Sequence, residues 1–307
     1  MVRYIVRRVL LLIPTLLAVY TITFILIRSI PGGPFDSDEK ASAATIERLN
    51  EAYGLNKPLW QQYIDYLGNI LQGRFGPSFS QPGRDVADIV RDFFPVSIQL
   101  GLLSIVIAAI IGITLGTISA VRQNTPVDYL ATFGAIFGIS APSYVVASLL
   151  VLFFAIQLGL VPTGGWNGPF SKEAIIPAFA LALAPAASLA RYTRSSLLEV
   201  LRQDYVCTAR AKGVNERLTI IRHALRNALI PVITVMGLQF ANVIVGSFFV
   251  ETVCNVPGLG RYFIKSIYGR DYPVLFGAVL LFAAIIAVMN LLVDVLYGVL
   301  DPRIAYE

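Results

Sequence analysis

The chain has 307 residues, of which 56% are hydrophobic and only 14% charged, and its mean hydropathy is +0.70. Soluble domains carry roughly 25% charged residues, so lipid must be the solvent for most of this chain, which excludes disorder, disulfide scaffolds and ordinary cytosolic enzymes. The net charge of +5 collects in short basic stretches between long uncharged runs, the pattern of segments facing an anionic leaflet rather than a nucleic acid.

A membrane-spanning helix needs about 20 apolar residues, and only helices and closed barrels satisfy the backbone in lipid. Residues 9–27 form the first such run, behind Arg3, Arg7 and Arg8. It exceeds a signal-peptide core, and Ile30-Pro31-Gly32-Gly33-Pro34 offers no small-x-small cleavage site, so a retained anchor is expected. Arg28 ends this helix and either snorkels to the interface or serves a function.

Residues 31–95 read as a folded outer segment. Trp60, Tyr63, Ile64, Leu67, Ile70 and Leu71 recur at helical spacing, as do Val86, Ile89, Val90, Phe93 and Phe94. These amphipathic helices either seal the bundle or seat a partner. Residues 96–307 make up the remaining core, with apolar runs at 96–121, 130–158, 174–190, 229–250 and 274–293. No internal repeat is visible, and ten-residue alternating barrel segments are absent. Gly112-x-x-x-Gly116 and Gly134-x-x-x-Gly138 permit close helix approach. Pro142 should kink the third run, as a hinge or as a fixed bend. In the fifth run Gln239, Asn242 and Gly246 share a face, either lining a wet pathway or bonding a neighbouring helix. Asp294, near the inner end of the sixth, is open between a structural and a functional role.

The expected fold is thus an all-α integral membrane protein with six transmembrane helices. An even number puts both termini on one side. Residues 1–8, 122–129, 191–228 and 298–307 then share a side and hold thirteen Lys/Arg, against four in the opposite short loops 159–173 and 251–273. The positive-inside rule therefore makes the termini cytoplasmic. Cys207 and Cys254 fall on opposite sides and cannot pair.

Residues 191–228 exceed what a turn between spans requires. Ser195 through Ala211 can continue as helix, Gly213 suits a left-handed C-cap, and Asn215 can cap a second helix with Glu216 in its first turn. That helix carries Leu218, Ile221 and Leu225 on one face. Such a helix, glycine turn and helix makes a rigid cytoplasmic docking knob.

Two stretches here, Asp204-Tyr205-Val206-Cys207-Thr208-Ala209-Arg210-Ala211-Lys212-Gly213 and Arg222-His223-Ala224-Leu225-Arg226-Asn227-Ala228-Leu229-Ile230-Pro231, resemble the EAA loop of binding-protein-dependent ABC importer permeases, in the form of the peptide and nickel branch. Cys207 stands where that branch commonly has arginine, and Arg226 replaces a proline of the wider family. The similarity extends along nearly the whole chain, through Pro31-Gly32-Gly33-Pro34, Phe75-Gly76-Pro77-Ser78-Phe79, Gly164-Gly165-Trp166-Asn167-Gly168, Glu251-Thr252, Pro257-Gly258-Leu259-Gly260, Arg270-Asp271-Tyr272 and Asp301-Pro302-Arg303. Within the branch it looks most like the OppB-type subunits of oligopeptide permeases.

The resemblance implies a type I ABC importer permease in a bacterial inner membrane, importing oligopeptides or, on the same scaffold, dipeptides, nickel chelates or another small solute. It implies a second permease as heterodimer partner, two cytoplasmic ATPase subunits and an extracytoplasmic peptide-binding protein. It places the ATPase-coupling position at Asp204, Thr208, Ala209, Arg210, Ala211, Lys212 and Gly213, and favours the pathway for Gln239, Asn242 and Gly246. No phosphate loop of the G-x-x-x-x-G-K-[ST] kind occurs, so this chain lacks that nucleotide cradle, and the resemblance implies that partner ATPase subunits bind ATP and magnesium. The only histidine, His223, lies on the basic loop and suits surface or partner contact. No catalytic residue, metal site or cofactor is expected in this chain.

Overall fold

The computed structural model describes residues 2–30, 32–35 and 43–300. Five helices among them are long and apolar enough to cross a membrane, and a bent pair makes a sixth span if counted as one. In chain order they are α1 (Val2–Ser29), α2 (Ala43–Ala52), α3 (Leu59–Leu71), α4 (Val86–Val121), α5 (Pro126–Ser140) and α6 (Ser143–Leu150), the last prolonged by a π-turn over Val151–Gln157. Then come α7 (Ile175–Val200), α8 (Asp204–Ala211), the short α9 (Glu216–Leu218), a π segment over Thr219–Leu225, α10 (Arg226–Val253), α11 (Leu259–Tyr268) and α12 (Tyr272–Leu300). Asp301-Pro302-Arg303 and the side chain of Asp294 lie outside what is described.

Helix α7 is the centre. Its most apolar stretch is 72% buried, against 39% or less in the other unbroken spans. Ala178, Ala182, Ala186 and Ala190 keep it thin, so α4 can close on it. A Cβ on Gly112 would sit 2.5 Å from the Ala186 carbonyl oxygen, and one on Gly116 2.5 Å from that of Ala190. Close packing of small residues is the usual source of cohesion between helices in lipid. The second glycine pair is used only in half. Gly138 meets Ala187, whereas Gly134 faces open space.

Two expectations need correction. Pro142 does not kink one helix: α5 and α6 turn through 102°. Ala141 is extended (ψ 122°), as a residue before proline prefers, and Pro142 supplies no amide to carry the ladder on. Ser195 through Ala211 is not one helix either, since α7 stops at Val200 and Gln203 is extended (ψ 146°) before α8. The break turns Val206 onto Leu197, Ala224 and Ala228. Arg28, left open between snorkelling and a function, is half-buried in the structure. It donates to Gln62 and lies over the rings of Tyr272 and Phe24, at 5.1 and 5.7 Å.

The outer segment is folded onto the bundle. Tyr63, Leu67 and Ile70 of α3 pack with Tyr20, Phe24, Ile27, Tyr272 and Phe276, while Trp60, Ile64 and Leu71 on the other face stay exposed. Helix α4 runs unbroken through Pro95, so the expected outer helix at 86–94 is the outer end of a span. The carboxylate of Asp271, just ahead of α12, accepts hydrogen bonds from the Ser78 hydroxyl and, at 3.0 Å each, the amides of Phe79 and Ser80. Glu251 is fully buried and accepts from the Ser247 hydroxyl (2.7 Å) and the Arg261 amide (3.2 Å), fixing the turn that leads into α11.

Candidate coupling surface and translocation face

Between α7 and α10 the chain forms a compact elbow. Gly213 takes φ +77°, its amide donates to the Arg210 carbonyl (2.9 Å) and that of Val214 to the Ala209 carbonyl (3.2 Å). This pair of bonds is the Schellman closure of α8, and it needs a left-handed residue where glycine carries no penalty. Two residues on, the Asn215 side chain accepts from the Arg217 amide (2.9 Å) and caps α9. Arg210 forks onto Glu216 across the turn, at 3.1 and 2.7 Å, and Asn227 donates to the Tyr205 hydroxyl (2.7 Å). The ion pair is exposed and worth only about 0.5 kcal/mol, but with the two caps it holds one geometry.

Of the candidate coupling residues, the elbow presents Asp204, Thr208, Arg210, Ala211, Lys212 and Gly213 to solvent. Ala209 is buried, as is Val206, and so is not part of the elbow's surface. The π segment turns Thr219, Ile220 and Ala224 inward and leaves Leu218 and Ile221 exposed, 53% and 54%, beside the basic residues. A π segment inserts one residue per turn and so rotates the face that follows, a shift that helical periodicity does not register. His223 is half-buried within it.

The three pathway candidates separate. The Gln239 amide donates to the Ser188 hydroxyl (3.0 Å), joining α10 to α7. Asn242 is exposed, and a Cβ on Gly246 would meet nothing within 4 Å. Phe249 continues that open face one turn outward, and its ring lies 5.6 Å from Tyr144 at the start of α6. The open strip therefore carries Asn242, Gly246, Phe249 and Tyr144, without a formal charge. Tyr144 and Phe249 were not singled out from the sequence, because only the break at Pro142 brings α6 against α10.

A second feature escaped the sequence. Arg194 of α7 grips Asp128 in the first turn of α5 with two 2.7 Å bonds, while Ser119 of α4 donates to the same carboxylate and the Asn124 amide binds at 3.0 Å. Asp128 is 2% exposed. Read along the chain it is one acid beside a short polar loop, and its only signal was its position just after Pro126 at a helix start.

Residues 112–306 match the family model described as "Binding-protein-dependent transport system inner membrane component", and residues 1–101 match its N-terminal companion. The dipeptide transport system permease protein DppB of Bacillus subtilis is 45% identical, over 99% of this chain and 98% of its own. The oligopeptide transport system permease proteins OppB of Salmonella typhimurium and Escherichia coli are 44% and 43% identical, each over 100% of both chains. Among solved structures, an inward-facing form of the MetNI methionine ABC transporter matches with TM-score 0.53 at 15% identity, over 67% of this chain and 93% of that one. An amino acid ABC transporter matches with TM-score 0.51 at 18% identity, over 71% and 95%. At these identities the two structures speak for the fold alone.

Proposed function

Because the chain belongs to the binding-protein-dependent transport system inner membrane component family, a family of ABC importer permeases, we propose that it forms half of the translocation pathway for short peptides and passes motion from a cytoplasmic ATPase through its elbow. The observation that carries the cargo is the end-to-end identity with dipeptide and oligopeptide permeases. Dipeptides are the second reading, favoured by the 45% identity with DppB.

The partners follow from the same reading: a second, similar permease against the open face of α10, two ATPase subunits beneath the elbows, and an extracytoplasmic peptide-binding protein. ATP and magnesium sit in the ATPases. The termini are cytoplasmic, on the side of the basic elbow. Asp204, Thr208, Arg210, Ala211, Lys212 and Gly213 form the docking surface, and Ala209 seats it. When the ATPases close, a stiff elbow carries the displacement into α7 and α10 as a rigid-body movement between two access states. Asn242, Gly246, Phe249 and Tyr144 suit peptides of varied sequence, since an uncharged wall does not discriminate among side-chain charges.

Co-purification from the native membrane, followed by uptake with peptides of two to eight residues, tests this (sizes spanning about a dipeptide to the drug-sized ligands of typical pockets). The reading expects an ATPase in the complex and saturable, ATP-dependent peptide uptake. A complex without an ATPase, or uptake of non-peptide solutes alone, overturns it.

A further inference from the structure

On the face opposite the elbow, a cavity of about 830 Å³ opens between the outer ends of α1 and α12 and the outer segment. Ligand pockets typically enclose about 300–1,000 Å³, so this one has room for a small organic molecule. The Arg28 guanidinium lines it. Gln62 is the only hydrogen-bond acceptor Arg28 has among the described residues, and its Nε is buried with none. Gln62 is itself held, its amide donating to the carbonyls of Leu55 (2.9 Å) and Lys57 (2.7 Å), which aims its oxygen at the guanidinium. The rings of Tyr272 and Phe24 complete the setting.

A guanidinium has five donors and a permanent charge, and placing it in a semi-buried apolar setting without a counter-ion is costly. No ion pair among the described residues involves Arg28. Among the described residues the nearby carboxylates are committed or peripheral. Asp65 pairs with Lys57 at 2.6 Å, Asp271 is taken by the Ser78 hydroxyl and two amides, and Glu51 and Asp85 lie elsewhere in the lining without reaching Arg28. A clamp between α1 and α3 would need only the Gln62 bond. The spare donors, the aromatic wall and the cavity together ask for an anion joined to an apolar body.

We propose that this outer cavity is a binding site for a small organic oxyanion, a carboxylate or a phosphate carried on an apolar body, anchored by the free donors of Arg28. Two sources share that chemistry at the outer interface, the C-terminal carboxylate of a short peptide and the phosphate of a phospholipid headgroup. The site is independent of the coupling elbow and of the strip on α10.

The test uses the complete transport complex without its binding protein, in phosphatidylcholine nanodiscs. Equilibrium dialysis measures labelled trialanine and its C-terminal amide, and native mass spectrometry counts phosphatidylglycerol retained when that lipid is included. Arg28→Gln removes the charge, and Asn69→Trp fills the cavity from its exposed rim without touching Arg28. Trialanine bound at one site, with the amide excluded and both variants weakening it by about tenfold or more, supports the carboxylate source. One retained phosphatidylglycerol, lost in both variants, supports the phosphate source. If neither ligand binds, or if binding is unchanged in Asn69→Trp, the proposal is overturned; should Arg28→Gln not fold, Asn69→Trp alone decides.

Discussion

Arg194 and Asp128 form a two-bond ion pair, Nε to Oδ1 and Nη2 to Oδ2 both at 2.7 Å, that ties α7 to the start of α5 at the elbow end of the bundle. With Ser119 on the same carboxylate, one acid holds three helices at the end where the elbow would pull. Breaking a buried pair by removing one partner costs roughly 3–5 kcal/mol, and the partial exposure of Arg194 lowers this to about 2 kcal/mol. Asp128→Ala should therefore lower the thermal midpoint of the purified chain, and Asp128→Ala with Arg194→Leu should recover part of the loss. A double variant as unstable as the sum of the singles would show that the two residues do not act as a pair.

Gly213 stands in the left-handed region with open space around its missing Cβ, so only its backbone is at stake. Gly213→Ala should cost about 1 kcal/mol locally, and Gly213→Asp adds a charge to the docking surface. In the reconstituted complex we expect peptide uptake to fall while ATP hydrolysis persists. Uptake and hydrolysis falling in parallel would point to lost assembly instead.

Cys207 is exposed on the elbow and Cys254 is buried beyond the end of α10, where burial pushes its thiol up to about 12. The thiolate is the reactive form, so Cys254 should resist alkylation at pH 8. An impermeant maleimide should label Cys207 in inside-out vesicles and not in intact cells, and Cys207→Ser should abolish labelling until the protein is unfolded. Labelling of Cys207 from outside would reverse the topology.

The two glycine pairs make a matched contrast. A Cβ at Gly112 would strike the Ala186 carbonyl, whereas one at Gly134 meets nothing within 4 Å. Gly112→Leu should abolish recovery of folded protein, since overpacking a tight core costs about 1–3 kcal/mol or more for each misplaced group. Gly134→Leu should leave the midpoint within about 0.5 kcal/mol of the parent, as for surface changes. Equal sensitivity at both positions would rule out the α4–α7 contact as the cause.

Gly246 lies on the open strip of α10, so Gly246→Trp should leave folding intact and obstruct passage. The expected result is a normal midpoint with peptide uptake reduced to background. Normal uptake would take this face out of the pathway.

Much of this was legible along the chain. The apolar runs located the spans, and Gly213 and Asn215 marked the turn and cap of the elbow, because capping depends on a few neighbouring residues. That Thr219–Leu225 of the second elbow helix is a π segment was not legible, since helical periodicity does not register it. Neither was the burial of Ala209, nor the packing of Val206 on Leu197 and Ala224, which are distant in sequence. The outer helices were seen, but not that Asp271 and Gln62 fasten them, because those bonds join residues far apart in sequence.

What the sequence determined by itself is whatever the solvent and the local backbone dictate: a lipid-embedded all-helical chain, its basic side, and a glycine-turned elbow. Tertiary structure decided the rest, namely the 102° break that sets Tyr144 against Phe249, the pairing of Asp128 with Arg194, and the cavity in which no described residue supplies Arg28 with a counter-ion. The physical reason is range. Hydrophobic periodicity and capping act within a few residues, whereas desolvation and charge pairing depend on which distant elements share the same low-dielectric space.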